Sequence, residues 1–160
     1  MTALNRSLVP AVIARPANRI SALATASDLG PLLIRVMIGV VFAFHGAQKL
    51  FGWFGGYGIE GTARAFESLG IPFPTLNVYL AGGAEFFGGL FLIIGLLTRP
   101  WALILTFTMI VAVLTAHRSA FSLQHNGMEY ALTLGVVSLA LAFIGAGRIS
   151  LDRTLNLPAA

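Results

Sequence analysis

Residues 32–50 read LLIRVMIGVVFAFHGAQKL, and this stretch decides the fold. A helix of that length rises about 28 Å at 1.5 Å per residue, close to the roughly 30 Å hydrocarbon thickness of a bilayer. Its apolar residues are nevertheless interrupted by Arg35, His45 and Lys49. A charged side chain at the bilayer centre costs roughly 2.5–3.5 kcal/mol on insertion scales, so such residues face a protein interior, pair, or do chemistry. Three further apolar stretches follow, from about Leu76 to Leu97, Trp101 to Ala116 and Met128 to Ile144. They carry Glu85 within the second, His117 at the end of the third and Glu129 at the start of the fourth.

Composition agrees with a membrane protein. Of 160 residues, 57% are hydrophobic and 10% charged, and the mean hydropathy of +0.85 is far above that of a soluble domain. This length suits one short helical bundle and leaves no room for a second folded domain. The net charge of +4 comes from scattered basic residues. No basic stripe with interleaved aromatics is present, so no nucleic acid partner is expected. Cysteine is absent, which excludes thiolate catalysis, disulfide exchange and cysteine-ligated centres on this chain. His117 and His125 lack zinc-type spacing, and no metal site is expected.

The expected architecture is all-α: four transmembrane helices in an antiparallel bundle, with a short interfacial segment between the first two. Asp28 with Pro31 reads as the start of the first helix, Thr98-Arg99-Pro100 as the break before the third, and Gly145-Ala146-Gly147 as the stop after the fourth. Residues 1–27 hold Arg6, Arg15 and Arg19 with no acid and read as a basic cytoplasmic tail. Such a start also fits an organellar transit peptide; a plain bacterial tail is the preferred reading, and a cleaved secretory signal is disfavoured by the short apolar run around Pro10. The membrane domain then covers 28–152, and 153–160 is a C-terminal tail. Arg6, Arg15, Arg19, Arg99, Arg148 and Arg153 fall on one side of four spans, which places both termini in the cytoplasm of a bacterial cell.

Trp53, Tyr57, Trp101 and Tyr130 lie at or near span ends, where interfacial aromatics are expected. Between the first two spans, Ile59 to Leu69 can form a short amphipathic helix on the outer interface, either a lid over the bundle or a plain connection. The glycines Gly82, Gly83, Gly88, Gly89 and Gly95 around Glu85 permit close helix packing and mark no nucleotide loop.

Depth along each helix turns the scattered charges into a candidate site. His45 and Lys49 share a helix face by their spacing of four. Counting at 1.5 Å per residue puts His45 roughly 10 Å and Glu85 roughly 13 Å below the outer surface. His117 ends an outward-going span and Glu129 begins an inward-going one, so His45, Lys49, Glu85, His117 and Glu129 converge in the outer half if their faces point inward. Histidine exchanges protons near neutral pH, buried carboxylates can do so, and a lysine can stabilise a developing oxyanion. This set suits proton-coupled chemistry on a polar head group such as a quinone carbonyl, or a proton relay. The structural alternative is that Lys49 pairs with Glu85 or Glu129 and the cluster only ties the helices together. Arg35 and Arg99 sit at the inner edge and are expected to meet lipid head groups or carbonyls.

Particular motifs carry a resemblance: Leu33-Ile34-Arg35 through Gly39, Phe44-His45-Gly46-Ala47-Gln48-Lys49-Leu50-Phe51-Gly52, Leu69-Gly70-Ile71-Pro72, Ala84-Glu85-Phe86-Phe87-Gly88-Gly89 and Gly95-Leu96-Leu97-Thr98-Arg99. Weaker elements follow at Asn126-Gly127-Met128-Glu129-Tyr130 and Gly147-Arg148-Ile149-Ser150-Leu151-Asp152. Over about Leu32 to Asp152 the chain resembles the DoxX family of small bacterial membrane proteins. The resemblance implies a four-helix protein of the inner membrane, and members are described as oxidoreductases. One branch is similar to a subunit of a thiosulfate:quinone oxidoreductase, and others are linked to quinone or catechol resistance and redox stress. A quinone is the implied small molecule, and with no flavin fingerprint or haem ligand pair on the chain, electrons must come from it or from a soluble or membrane redox partner protein. A non-catalytic accessory subunit and a small proton-coupled transporter are the alternatives.

Overall fold

The computed structural model describes the backbone of residues 17–157 and the side chains of residues 28–157. Every regular element among them is helical: α1 (Ala17–Phe51), α2 (Gly58–Ser68), α3 (Pro74–Ile94), α4 (Thr98–Thr115), α5 (Glu129–Ile144) and the single turn α6 (Leu151–Thr154). Three segments are long and apolar enough to cross a membrane, Asp28–Phe51, Pro74–Ile94 and Thr98–Thr115. The fourth apolar helix, α5, is shorter at 16 residues.

The first helix starts earlier than expected. Ala17, Ala22, Ala24 and Ala26 favour helix, and α1 runs through Pro31, which removes only one backbone donor from an otherwise continuous ladder. Residues 17–27 of the expected tail are thus helical, while the reading of residues 1–16 as tail or transit peptide lies outside the described residues, as do 158–160. The break before α4 also moves. Pro100 sits in the first turn of α4, where its missing N–H costs nothing, and the chain turns instead at Gly95. That glycine, at φ +69, closes α3 in a Schellman arrangement with Leu96 N donating to the Phe91 carbonyl at 3.0 Å.

Contacts fix the pairing of α1 with α3. Arg35 meets Leu92 and Ile93, Gly39 meets Gly89, and Gly46 meets Gly82 and Phe86, so the two helices run antiparallel. Glycine makes the approach possible. A Cβ on Gly39 would lie 2.7 Å from the Gly89 carbonyl oxygen, and one on Gly46 would fall on the Phe86 backbone nitrogen. Thr106 and Met109 of α4 meet Gly135 of α5. A single core of Ile38, Phe42, Leu92, Leu105, Met109, Leu134 and Leu141 joins α1, α3, α4 and α5.

This packing makes Gly46→Ala strongly destabilising, because the clash is with backbone and cannot be relieved by a rotamer change. Overpacking of this kind costs about 1–3 kcal/mol. Gly83→Ala, with nothing within 4 Å of its Cβ, is the control and melts at or above the wild-type temperature, since alanine favours helix over glycine; thermal unfolding of both variants in detergent checks the difference.

Candidate functional site

Two ends of the helical body differ in chemistry. At the end bearing α6 the chain is locked by polar contacts, and at the end bearing α2 it encloses a cavity.

Lys49 and Glu85 meet by the natural lean of helical side chains. The Lys49 Cβ lies level with Gly82, 3.3 Å from where a Cβ on that residue would stand. Side chains on a helix tilt toward its N-terminus, which carries the Lys49 stem deeper and the Glu85 carboxylate toward the α2 end. Across the antiparallel pair they converge, and Lys49 Nζ forms a close ion pair with Glu85 Oε2. The carboxylate side chain is 4% exposed and the lysine 25%. Glu85 is thus shut into the α1–α3 interface while the ammonium keeps one side open.

His45, one turn before Lys49, belongs to a second polar chain. Its Nδ1 is 3.1 Å from Gln48 Oε1, and Gln48 Nε2 donates to the Phe54 carbonyl at 3.4 Å. With the amide nitrogen so engaged, its oxygen faces the imidazole, so His45 Nδ1 donates and Nε2 is the acceptor. Tyr130 of α5 places its hydroxyl 3.5 Å from that Nε2 and its ring edge-on to the imidazole at 6.0 Å.

These groups line one cavity of about 580 Å³ between α1, α3, α4 and α5, within the size range of small-molecule sites. His45, Lys49, Glu85, His117 and Tyr130 all reach its wall. Phe66, Leu69 and Ile71, in α2 and the turn after it, line it from the α2 end. The remaining lining is mainly aliphatic and aromatic, so the few polar groups act in surroundings of low dielectric.

Four of the five residues expected to converge therefore share the cavity. His117 does so with Nδ1 3.1 Å from the Asn126 carbonyl, which makes Nδ1 the donor and leaves Nε2 free to accept. Glu129 does not line it. Its Oε1 instead accepts from the backbone N–H of Leu123 at 2.8 Å, tying the 3-10 turn Leu123–His125 to the start of α5. Tyr130, one position on, takes the place on the wall, because one residue turns the side chain about 100° around a helix. Tyr130, expected as an interfacial aromatic, and Gln48 are the two polar residues that join the site beyond those expected from sequence; the i,i+3 spacing of Gln48 from His45 is the signal for the second.

Of the two settings expected for Arg35, head groups or carbonyls, the structure has the second. Arg35 is 2% exposed and bonds backbone carbonyls: Nη1 donates to Leu92 and Ile93 at 2.9 and 2.7 Å, and Nη2 to Ile149. Beside it the Asp152 carboxylate accepts from the backbone N–H groups of Leu97 and Thr98 at 2.7 and 3.2 Å, capping α4.

The DoxX family model matches residues 30–118. The chain is 32% identical over 125 residues to "Putative oxidoreductase CatD" of Bacillus subtilis (strain 168), covering 78% of this chain and 86% of the relative. It is 33% identical over 132 residues to inner membrane protein YqjF of Escherichia coli (strain K12), covering 81% and 94%, respectively. Inner membrane protein YphA of the same organism is 29% identical over 128 residues, 76% and 87%. No solved structure matches the chain. Matched over more than half its length and carrying several apolar helices, this integral membrane protein belongs to the DoxX family.

Proposed function

We propose that the chain is an inner-membrane oxidoreductase, or the membrane subunit of a redox complex, that binds a quinone-like head group in the cavity at the α2 end. In this reading α1, α3, α4 and α5 cross the bilayer as an antiparallel four-helix bundle, α2 lies on the outer interface and both termini are cytoplasmic. The arginines at the α6 end support that orientation. The short α5 is accommodated by tilt or local thinning of the bilayer.

The observation that carries the proposal is the Lys49–Glu85 pair set in an apolar cavity beside the Tyr130–His45–Gln48 chain. A quinone takes up two electrons and two protons to become the hydroquinone. The electrons come from a partner redox protein. Lys49, the exposed half of its pair, faces a carbonyl oxygen and stabilises the negative charge that reduction places there. Tyr130 hands its hydroxyl proton to that oxygen and is reprotonated by His45 once Nε2, the acceptor at rest, has taken up a proton from water; the second proton reaches the other quinone oxygen from water. Glu85 holds the ammonium in place and takes over as its counter-ion when the product leaves neutral. The relative named as an oxidoreductase supports the reaction class.

A specific observation also favours an accessory role, since the same ion pair ties α1 to α3. The transporter reading has no such support: on the α6 side of the cavity the helices meet in the apolar core around Phe42, Leu92 and Leu105.

The test uses protein reconstituted in lipid with a short-chain quinone and a soluble electron donor. His45→Ala and Glu85→Gln lower quinone turnover, the former by about 10²-fold as expected for loss of a general acid–base group, with circular dichroism unchanged. Unchanged quinone binding and turnover in both variants overturns the proposal.

A further inference from the structure

The cavity is open at one side, and the side is apolar. Near the α6 end α3 and α4 touch closely, where Gly88 faces Trp101 and Leu105 with a Cβ clearance of 3.1–3.2 Å. Toward the α2 end both helices turn their residues to the cavity: Leu80, Ala81 and Ala84 from α3, and Ile104, Phe107 and Thr108 from α4. The two helices therefore part like a V whose vertex is Gly88. Leu80 and Phe107 line the cavity and are also 60% and 67% exposed, so they stand on the lips of an opening in the apolar flank. From Ile104 to Thr115 this gap runs about 16 Å along α4 at the helical rise.

Its polar groups are segregated from this opening. Lys49 and Glu85 lie on the α1–α3 side and His45 with Tyr130 on the α1–α5 side, whereas the hydroxyls on the α4 lip, Thr108 and Thr115, are bonded at 3.0 and 2.8 Å to the Ile104 and Val111 carbonyls of their own helix, and Asn77 of α3 donates its amide to the Pro72 carbonyl at 2.7 Å. The cavity thus has a head-group end with donors and an apolar channel leading out sideways. Phe66, Leu69 and Ile71 line it at the α2 end.

We propose that the ligand is an amphiphile, a carbonyl-bearing head on a long apolar chain, which enters sideways from the bilayer between α3 and α4 and leaves its chain in that gap. This rests on the reading of the Lys49–Glu85 end as a head-group site, and it goes further in fixing the ligand class and the route. A water-soluble small molecule would need a polar path past α2 and would leave the gap to lipid. A chain-bearing ligand fills the gap with its own hydrocarbon and need never leave the bilayer.

The experiment places two probes in vesicles with the full chain. One is a benzoquinone bearing a long alkyl chain with a diazirine at its middle; the other carries the same chain on an acetamide head, which cannot be reduced. On illumination the chain labels Leu80, Ile104 and Phe107 saturably, and unlabelled decyl-benzoquinone competes. Thr108→Phe lowers the saturable labelling about tenfold, the loss that a crowding side chain gives, while Leu103→Phe, on α4 but outside the cavity, leaves it unchanged. Ala81→Phe crowds the gap from the facing wall and gives the same result where Thr108→Phe folds poorly. Labelling that follows exposure alone, with Phe143 (76% exposed) marked as heavily as Phe107, overturns the proposal, as does insensitivity to both crowding variants. Saturable labelling by the acetamide probe without quinone turnover retains the side entry and removes the quinone reading. Quinone turnover without chain labelling in the gap does the reverse.

Discussion

Replacing Glu85 by leucine lowers stability by about 3–5 kcal/mol, the cost of leaving one member of a buried ion pair without its partner. The cost arises because Lys49 Nζ then stands in a mainly apolar cavity without its counter-ion. The double substitution Lys49→Met with Glu85→Leu removes both charges and recovers most of that loss, since apolar replacements of similar volume are often neutral or better. Thermal unfolding of the three proteins in one detergent measures the cycle, and its coupling term isolates the pair. The same proteins separate structure from chemistry. If the pair only ties α1 to α3, the double variant regains both stability and quinone handling. If it serves a reaction, stability returns and turnover does not. A single variant that melts with the wild type would mean that water reaches the carboxylate in the folded protein.

The site was partly legible because charge in an apolar stretch is costly wherever the stretch folds. Depth counting brought His45 and Glu85 to one level, and the glycine contacts confirm it, for Gly46 lies between Gly82 and Phe86. That Lys49 reaches Glu85 rather than Glu129 was open, because the lean of each side chain matters as much as the height of its Cα. Glu129 shows where counting stops: at a helix start, a shift of one residue turns the side chain from cavity to loop, and the periodicity of a nearly uniform apolar helix does not say which. Tyr130 has the same height and the other face. Two helix ends differ from their local signals, one for a local reason and one for a tertiary one. Pro31 lies inside a helix whose earlier alanines extend it, and Pro100 lies in a first turn whose free N–H groups at Leu97 and Thr98 are satisfied by Asp152, more than fifty residues away. No local signal announces such a partner.

That distant partner belongs to the lock at the α6 end, and Arg35→Met is the second large effect expected. Arg35 is enclosed by the carbonyls of Leu92, Ile93 and Ile149, which are among the last acceptors of α3 and the approach to α6. Without the guanidinium the Ile93 and Ile149 carbonyls lose this donor, at about 1–3 kcal/mol for each one left unsatisfied, while the Leu92 carbonyl keeps the Gly95 N–H at 3.1 Å. The loss spreads, because Gly95 sits against the Arg35 side chain and its carbonyl accepts from the Asp152 N–H at 2.9 Å. Asp152 in turn holds Leu97, a non-glycine residue at φ +50, in a left-handed conformation that costs of order 1–3 kcal/mol when unsupported. Arg35→Lys restores the charge but not the planar fork that reaches several acceptors at once, so it rescues little, whereas a charge-only role would be rescued fully. Limited proteolysis of the segment between α5 and α6, together with the melting temperature, reads both outcomes. Arg35→Met should expose that segment while leaving the cavity at the other end able to bind its ligand in the molecules that stay folded, because the apolar core of Phe42, Leu92, Leu105 and Met109 lies between the lock and the cavity. Loss of ligand binding in parallel with cleavage would instead mean that α3, which carries Glu85 at its middle and meets Arg35 at its C-terminal end, transmits the lock to the site as a rigid rod.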